Sequence, residues 1–265
     1  MYSKFQLGKK YIQYYLTAAN GKGHGVHSPF VFDLITKVFN DDREFYCYQT
    51  IENLRNTLMQ DNTVLTLEDF GAGSRLASHH QRAVSFIAKS SLKPRKFSRL
   101  FFRLVNYFHP KNIIELGTSL GITAAYMASA DTNAQVITME GAKAVATVAR
   151  KNFTALGIKN IKIVEGNFDD TLQKVLKQTP VVDFAFIDGN HRKLPTLNYF
   201  EQLLQNANEN SVLIFDDIHW SQEMEEAWAQ IQAHLSVTLT IDLFFIGLVF
   251  FRKEQKEKEH FVVRF

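Results

Sequence analysis

At 265 residues, with 46% hydrophobic and 22% charged side chains and a formal net charge of +3, the chain has the composition of one large globular domain or of a domain with an extension, which excludes disordered and fibrous classes. Its longest apolar run, from Leu243 to Phe251 and interrupted by Gly247, is far shorter than the about 20 residues of a membrane-spanning helix, so no transmembrane segment is expected. Lys9 and Lys10 fall where a signal peptide needs its apolar heart, and a single cysteine, Cys47, forms no internal disulfide; the expected location is the cytoplasm.

Along the chain, residues 4–16, 28–39, 50–59 and 97–108 have helical periodicity, with a glycine-punctuated stretch between the last two. This predicts a mainly helical N-terminal extension over residues 1–96, a candidate lid, whose aromatics Phe5, Tyr11, Tyr14, Tyr15, Phe30, Phe32 and Phe39 are expected to pack on the domain that follows. His24 and His27 sit among glycines just before Ser28 and Pro29, an N-cap and first-turn pair; capping that helix and facing a substrate are both open to them. The glycine turn Asp69-Phe70-Gly71-Ala72-Gly73-Ser74 mimics a cofactor loop but lacks a following strand with a terminal acid, so it reads as an ordinary turn. Residues 71–114 carry nine Lys/Arg and no Asp/Glu. That basic block, 71–111, is either a solvated helix face balanced by acids elsewhere or a surface for nucleic acid or an anionic membrane.

From residue 112 the pattern changes. Strand-like runs at 112–116, 135–139, 161–164, 182–187, 212–215, 237–242 and 244–252 are separated by helix-length segments, except the last two, which predict a tight antiparallel hairpin. The expected fold class is α/β: a Rossmann-like, doubly wound, seven-stranded sheet, mostly parallel, with an antiparallel last strand. The run 253–259 (KEQKEKE) reads as a solvated tail.

Ligands of such a sheet bind beyond the carboxyl ends of its strands. The first strand is followed by Glu115-Leu116-Gly117-Thr118-Ser119-Leu120-Gly121, which lacks the glycine spacing of a dinucleotide loop. Glu140, 25 residues beyond Glu115, ends the second strand, where a carboxylate accepts hydrogen bonds from both hydroxyls of a ribose. A nucleoside without a pyrophosphate fits this pair best.

Residues 97–252 resemble the class I S-adenosylmethionine-dependent methyltransferases, which sets the domain boundary at 97–265. The resemblance implies S-adenosylmethionine as cofactor, held by Glu115, Gly117, Thr118, Ser119 and Gly121, by Glu140 at the ribose, by Asn167 and Phe168 at the adenine, and by Asp188. Asp188, after the fourth strand, and Asp216-Asp217, after the fifth, look like the metal ligands of the cation-dependent O-methyltransferases and imply Mg²⁺ or another divalent cation. The chain departs from both branches of that group at the proton acceptor: the sugar branch has an acid where Asn190 stands, and the catechol branch has a lysine where His191 stands. His191 is the candidate general base and His219 the second choice. The expected partner is a small hydroxyl-bearing molecule. An RNA methyltransferase using residues 71–111, a non-catalytic cofactor-binding or membrane-surface protein and a homodimer are left open.

Overall fold

The computed structural model describes residues 1–69 and 78–265. The chain begins with α1 (Lys4–Thr17) and α2 (Pro29–Leu34), which runs into a π-helical turn at Ile35–Phe39. Then come α3 (Tyr48–Gln60), β1 (Val64–Asp69), β2 (Ser78–Ala83), α4 (Val84–Ser91) and α5 (Arg95–Phe108). From there strands and helices alternate: β3 (Asn112–Leu116), α6 (Ile122–Ala130), β4 (Gln135–Glu140), α7 (Lys143–Ala155), β5 (Ile161–Glu165), α8 (Phe168–Gln178), β6 (Phe184–Ile187), α9 (Lys193–Leu204), β7 (Val212–Asp216) and α10 (Gln222–Ala233), followed by β8 (Leu239–Asp242), β9 (Ile246–Phe250) and β10 (Glu259–Val262). Strands β3 to β10 make an eight-stranded mixed sheet, mostly parallel and flanked by helices, the Rossmann-like class expected. The chain forms two compact units, residues 42–175 and residues 1–41 with 176–265.

In the unit 42–175, β3, β4 and β5 pair in parallel. Their apolar runs, buried over most of β3 and β4, are those of strands covered on both faces. Tyr48, Ile51, Phe102, Ile122, Tyr126, Ala149 and Phe153 belong to one core cluster. An antiparallel β1–β2 hairpin stands where the sequence suggested only a glycine-punctuated stretch; the glycine turn at residues 69–74 lies, from Phe70 onward, outside the described residues.

The basic block is partly neutralised within this unit. Arg95 Nε lies 3.1 Å from Glu52 Oε2, and Arg99 is bidentate on Glu44 at 2.6 and 2.9 Å. These acids stand in residues 44–52, so the charge asymmetry seen along the sequence closes in space.

In the other unit, β6 and β7 are parallel, β9 is antiparallel to both β7 and β8, and β10 lies parallel to β8. The hairpin expected at the end of the sheet is thus β8–β9, and β10 is an eighth strand beyond the seven expected. It begins where the charged run 253–259 ends, and its residues alternate between partly buried and exposed, as suits the outermost strand. Gly247 of β9 is required by contact: a Cβ there would meet the Trp228 ring at 2.5 Å.

The N-terminal segment of that unit starts with a capping box, in which Gln6 N–H donates to Ser3 Oγ and Ser3 N–H to Gln6 Oε1. Ser28 and Pro29 open α2 as expected, with Val31 N–H donating to Ser28 Oγ, while His24 and His27 are exposed. The aromatics divide. Tyr14 and Phe39 are buried, Tyr11 meets Phe244 edge-on and Phe30 meets Phe250 edge-on, but Phe5 and Tyr15 stay exposed. The expectation that all seven pack inward therefore fails at these two, because α1 seats a narrow face formed by Leu7 and Tyr14, and at Phe32 of α2, which is 44% exposed.

Candidate active site

The loop between β3 and α6 is held in a conformation that few sequences tolerate. Gly117, Ser119 and Gly121 all have positive φ, at 105°, 48° and 83°. Glycine removes the Cβ penalty at two of these positions; a Cβ on Gly121 would also lie 2.6 Å from the Phe153 ring. Gly121→Ala is therefore expected to cost about 1–3 kcal/mol in denaturant titration, from overpacking and left-handed backbone together.

Beneath this loop runs a buried polar chain. Thr118 Oγ1 and Thr138 Oγ1 are 2.6 Å apart, and Thr138 donates in turn to Glu115 Oε2. Glu115 and Thr138 are fully buried and Thr118 nearly so. Of the residues expected at the cofactor, Glu115 and Thr118 thus stand under the loop and brace it. Thr138 was not singled out from the sequence, although a lone hydroxyl within Val136-Ile137-Thr138-Met139 was a visible signal.

Glu140 closes the loop from the end of β4. Its Oε2 accepts from Ser119 N–H at 2.8 Å and its Oε1 from Ala142 N–H at 2.9 Å. The Ser119 hydroxyl is buried without a hydrogen-bond partner among the described residues, which fits a loop shaped around a polar ligand. After β5, Asn167 Oδ1 accepts from Asp169 N–H at 3.2 Å, so its side chain caps the start of α8, with partly buried Phe168 beside it. A cavity of about 640 Å³ in this unit is elsewhere. It is lined by Tyr46, Cys47, Ser129, Thr132 and Asn160, beyond the carboxyl ends of α6 and α7 and so at the amino ends of the strands. Burial pushes the Cys47 thiol up to about 11, which leaves it a poor nucleophile.

In the other unit, the carboxyl ends of β6 and β7 bring acids together. Asp188, His191 and Asp216 each present a donor atom within 4.8 Å of the others. His191 Nε2 is 3.5 Å from Asp188 Oδ1 and 4.0 Å from Asp217 Oδ2, and its ring lies 5.5 Å from that of Trp220. Asp216 is only 2% exposed. Asp217 has left-handed backbone (φ 53°) and so does Asn190 (φ 59°), whose side-chain amide donates to Tyr199 Oη at 3.4 Å. Such backbone strain collects at functional sites. Carboxylates this close repel unless a cation or proton intervenes, and oxygen donors of this kind suit a hard divalent ion.

His219 is engaged differently. Its Nδ1 is 3.1 Å from Glu225 Oε1 and its Nε2 2.7 Å from Asp242 Oδ2. Burial alone would lower its pKa, but the hydrogen bonds and charges of Asp242 and Glu225 outweigh that and raise it. Both nitrogens lie within hydrogen-bond distance of carboxylates, which favours the charged imidazolium. Lys10 Nζ and Tyr2 Oη complete the group on Glu225, at 2.9 and 2.7 Å.

Residues 114–218 match the family model described as a methyltransferase domain, a span that holds Glu115, the loop 117–121, Glu140, Asn167, Asp188, His191, Asp216 and Asp217. A catechol O-methyltransferase from Niastella koreensis is 28% identical over 163 residues, covering 60% of this chain and 72% of the relative. Among solved structures, an O-methyltransferase from Bacillus cereus in complex with S-adenosylhomocysteine superposes with a TM-score of 0.57 at 18% identity, over 80% of this chain and 93% of that one. An O-methyltransferase of tomaymycin synthesis from Streptomyces achromogenes, in complex with S-adenosylmethionine, gives 0.53 at 18% identity over 61% and 82%. The structural matches establish the fold, and the domain match and the curated relative are consistent with a class I S-adenosylmethionine-dependent O-methyltransferase.

Proposed function

We propose that the methyl acceptor is a hydroxyl of a small molecule and that a divalent cation, Mg²⁺ or a close equivalent, assists the transfer. The observation that carries this reading is the convergence of Asp188, His191 and Asp216 at two strand ends, with Asp217 alongside. The donor set is rich in carboxylate oxygen and fits a hard cation.

S-adenosylmethionine, when bound, would supply its sulfonium methyl to an attacking oxygen, with S-adenosylhomocysteine as the thioether leaving group. The loop 117–121 and Glu140 hold that cofactor, with Glu140 facing the ribose hydroxyls and Asn167 and Phe168 bordering the adenine. Asp188, Asp216 and Asp217 hold the cation, which when bound lowers the pKa of a coordinated hydroxyl and orients it. His191, already facing two of these carboxylates, takes the hydroxyl proton. The resemblance of a curated catechol O-methyltransferase makes a vicinal diol the first acceptor class to try.

Chelation is the direct test. With catechol as acceptor, turnover is expected to fall at least about tenfold after exhaustive chelator treatment and to return with Mg²⁺. Turnover indifferent to chelator would sink the cation, and turnover absent on every hydroxylated acceptor would sink the acceptor class. His191→Asn should leave cation affinity intact while lowering turnover; loss of cation binding in that variant would make His191 a ligand instead.

A further inference from the structure

Apart from Arg264, whose guanidinium lies 4.7 Å from the Tyr15 ring centre, the outward face of α1 has no partner among the described residues, and it is apolar. Met1 is 82% exposed, Phe5 83%, Ile12 61%, Tyr15 52% and Leu16 71%. Within α1, Phe5, Gly8, Ile12, Tyr15 and Leu16 fall at 3.6 residues per turn on one stripe about 100° wide, and exposed Met1 precedes the helix. Leu7 and Tyr14, on the opposite side, are the residues that seat the helix against Ala18 and Phe244. The helix therefore has two apolar faces, of which the larger is turned to solvent, whereas hydrophobic side chains exposed on a soluble surface are ordinarily scattered.

The charges around the stripe have one sign. Lys4 and Lys9 border it on either side, both exposed and neither in an ion pair among the described residues. The first acid of the sequence is Asp33, and residues 1–32 hold four lysines. An apolar stripe with aromatic residues and lysine margins is the arrangement of a helix lying in a bilayer interface. No helix of the described residues is long and apolar enough to cross a membrane, so such a helix lies on the bilayer.

We propose that this face of α1 docks on an anionic lipid bilayer, with Phe5, Ile12 and Leu16 in the acyl boundary and Lys4 and Lys9 among the headgroups. Charge favours this occupant over a second copy of the chain. A two-fold contact through the stripe would set lysines against lysines with no acid on that face to receive them, whereas anionic headgroups complement them.

The test is co-sedimentation of the full chain with vesicles of phosphatidylglycerol and phosphatidylcholine, against vesicles of phosphatidylcholine alone. Binding to the mixed vesicles is expected, weakening as salt rises. Lys4→Ala/Lys9→Ala is expected to reduce partitioning about 25-fold, at about 1 kcal/mol per charge. Phe5→Ala/Ile12→Ala is expected to reduce it at least about tenfold. Because all four side chains are exposed, the thermal midpoint and S-adenosylmethionine affinity of these variants should match the parent, which separates lost docking from lost folding. The proposal is overturned by equal binding to neutral vesicles, by no binding to either, or by a concentration-dependent dimer that Phe5→Ala/Ile12→Ala dissociates in a parent that does not bind vesicles.

Discussion

Replacing Glu140 by alanine is expected to weaken S-adenosylmethionine binding about a hundredfold, corresponding to roughly 3 kcal/mol for charged hydrogen bonds lost at one carboxylate. Each oxygen of that carboxylate already takes a backbone N–H, from Ser119 and from Ala142. An ionised carboxylate oxygen accepts more than one hydrogen bond, so these backbone contacts are compatible with ribose hydroxyls on the same group. The variant thus removes the proposed ribose contacts and at the same time releases the strained backbone at Ser119. Glu140→Gln separates the two effects, since the amide keeps one acceptor oxygen while replacing the other with a donor. Calorimetric titration measures both variants, with thermal melts to show that the fold persists. Affinity within threefold of the parent in Glu140→Ala would remove Glu140 from the cofactor site while leaving the family assignment untouched.

The strands were legible wherever they were buried on both faces. Val212-Leu213-Ile214-Phe215 and Phe184-Ala185-Phe186-Ile187 are continuous apolar runs, and no other element explains them at that length. The same logic fails at β10 and at β2, whose Ser78-His79-His80-Gln81-Arg82-Ala83 owes its pairing to the partner strand rather than to its own composition. The candidate site residues were read from position, and the structure places them at or just beyond the carboxyl ends of strands. Their division of labour was not legible in the sequence. That Glu115 is buried beneath the loop while Glu140 reaches its backbone depends on Thr138 and on the turn from β3, and long-range contacts of this kind leave no local mark. His219 illustrates the same limit from the other side. It has the residue type and the position of a catalytic base, yet Glu225 and Asp242, 6 and 23 residues further along the chain, occupy both its nitrogens.

The basic stretch that suggested nucleic acid also has a structural account, and it yields the largest stability effect. Glu52 is 3% exposed and takes three donors: Arg55 Nε and Tyr126 Oη on Oε1, at 3.1 and 2.8 Å, and Arg95 Nε on Oε2, at 3.1 Å. Arg55, 5% exposed, spends its remaining nitrogens on Lys93 O at 2.8 Å and Ser98 Oγ at 3.0 Å. The network ties α3 to α5 and α6 through groups that, apart from the half-exposed Arg95, water barely reaches. Removing the carboxylate leaves a buried guanidinium uncompensated, so Glu52→Ala is expected to cost about 3–5 kcal/mol at neutral pH. Replacing the pair, as Glu52→Leu/Arg55→Met, should cost less than that single variant, because no charge is then stranded. The pH dependence has a definite sign. Burial raises the Glu52 pKa, but Tyr126 and the two arginines outweigh it and hold the carboxyl below its usual range. Its stabilisation is therefore complete above the unfolded value of about 4.3 and is lost as pH falls through the lower folded value. Denaturant titrations of parent and Glu52→Ala should accordingly converge on acidification below about pH 4 while differing fully at pH 7. A gap at pH 7 below about 1 kcal/mol would mean that water or a rearranged side chain reaches Arg55, and the network would then be a surface feature.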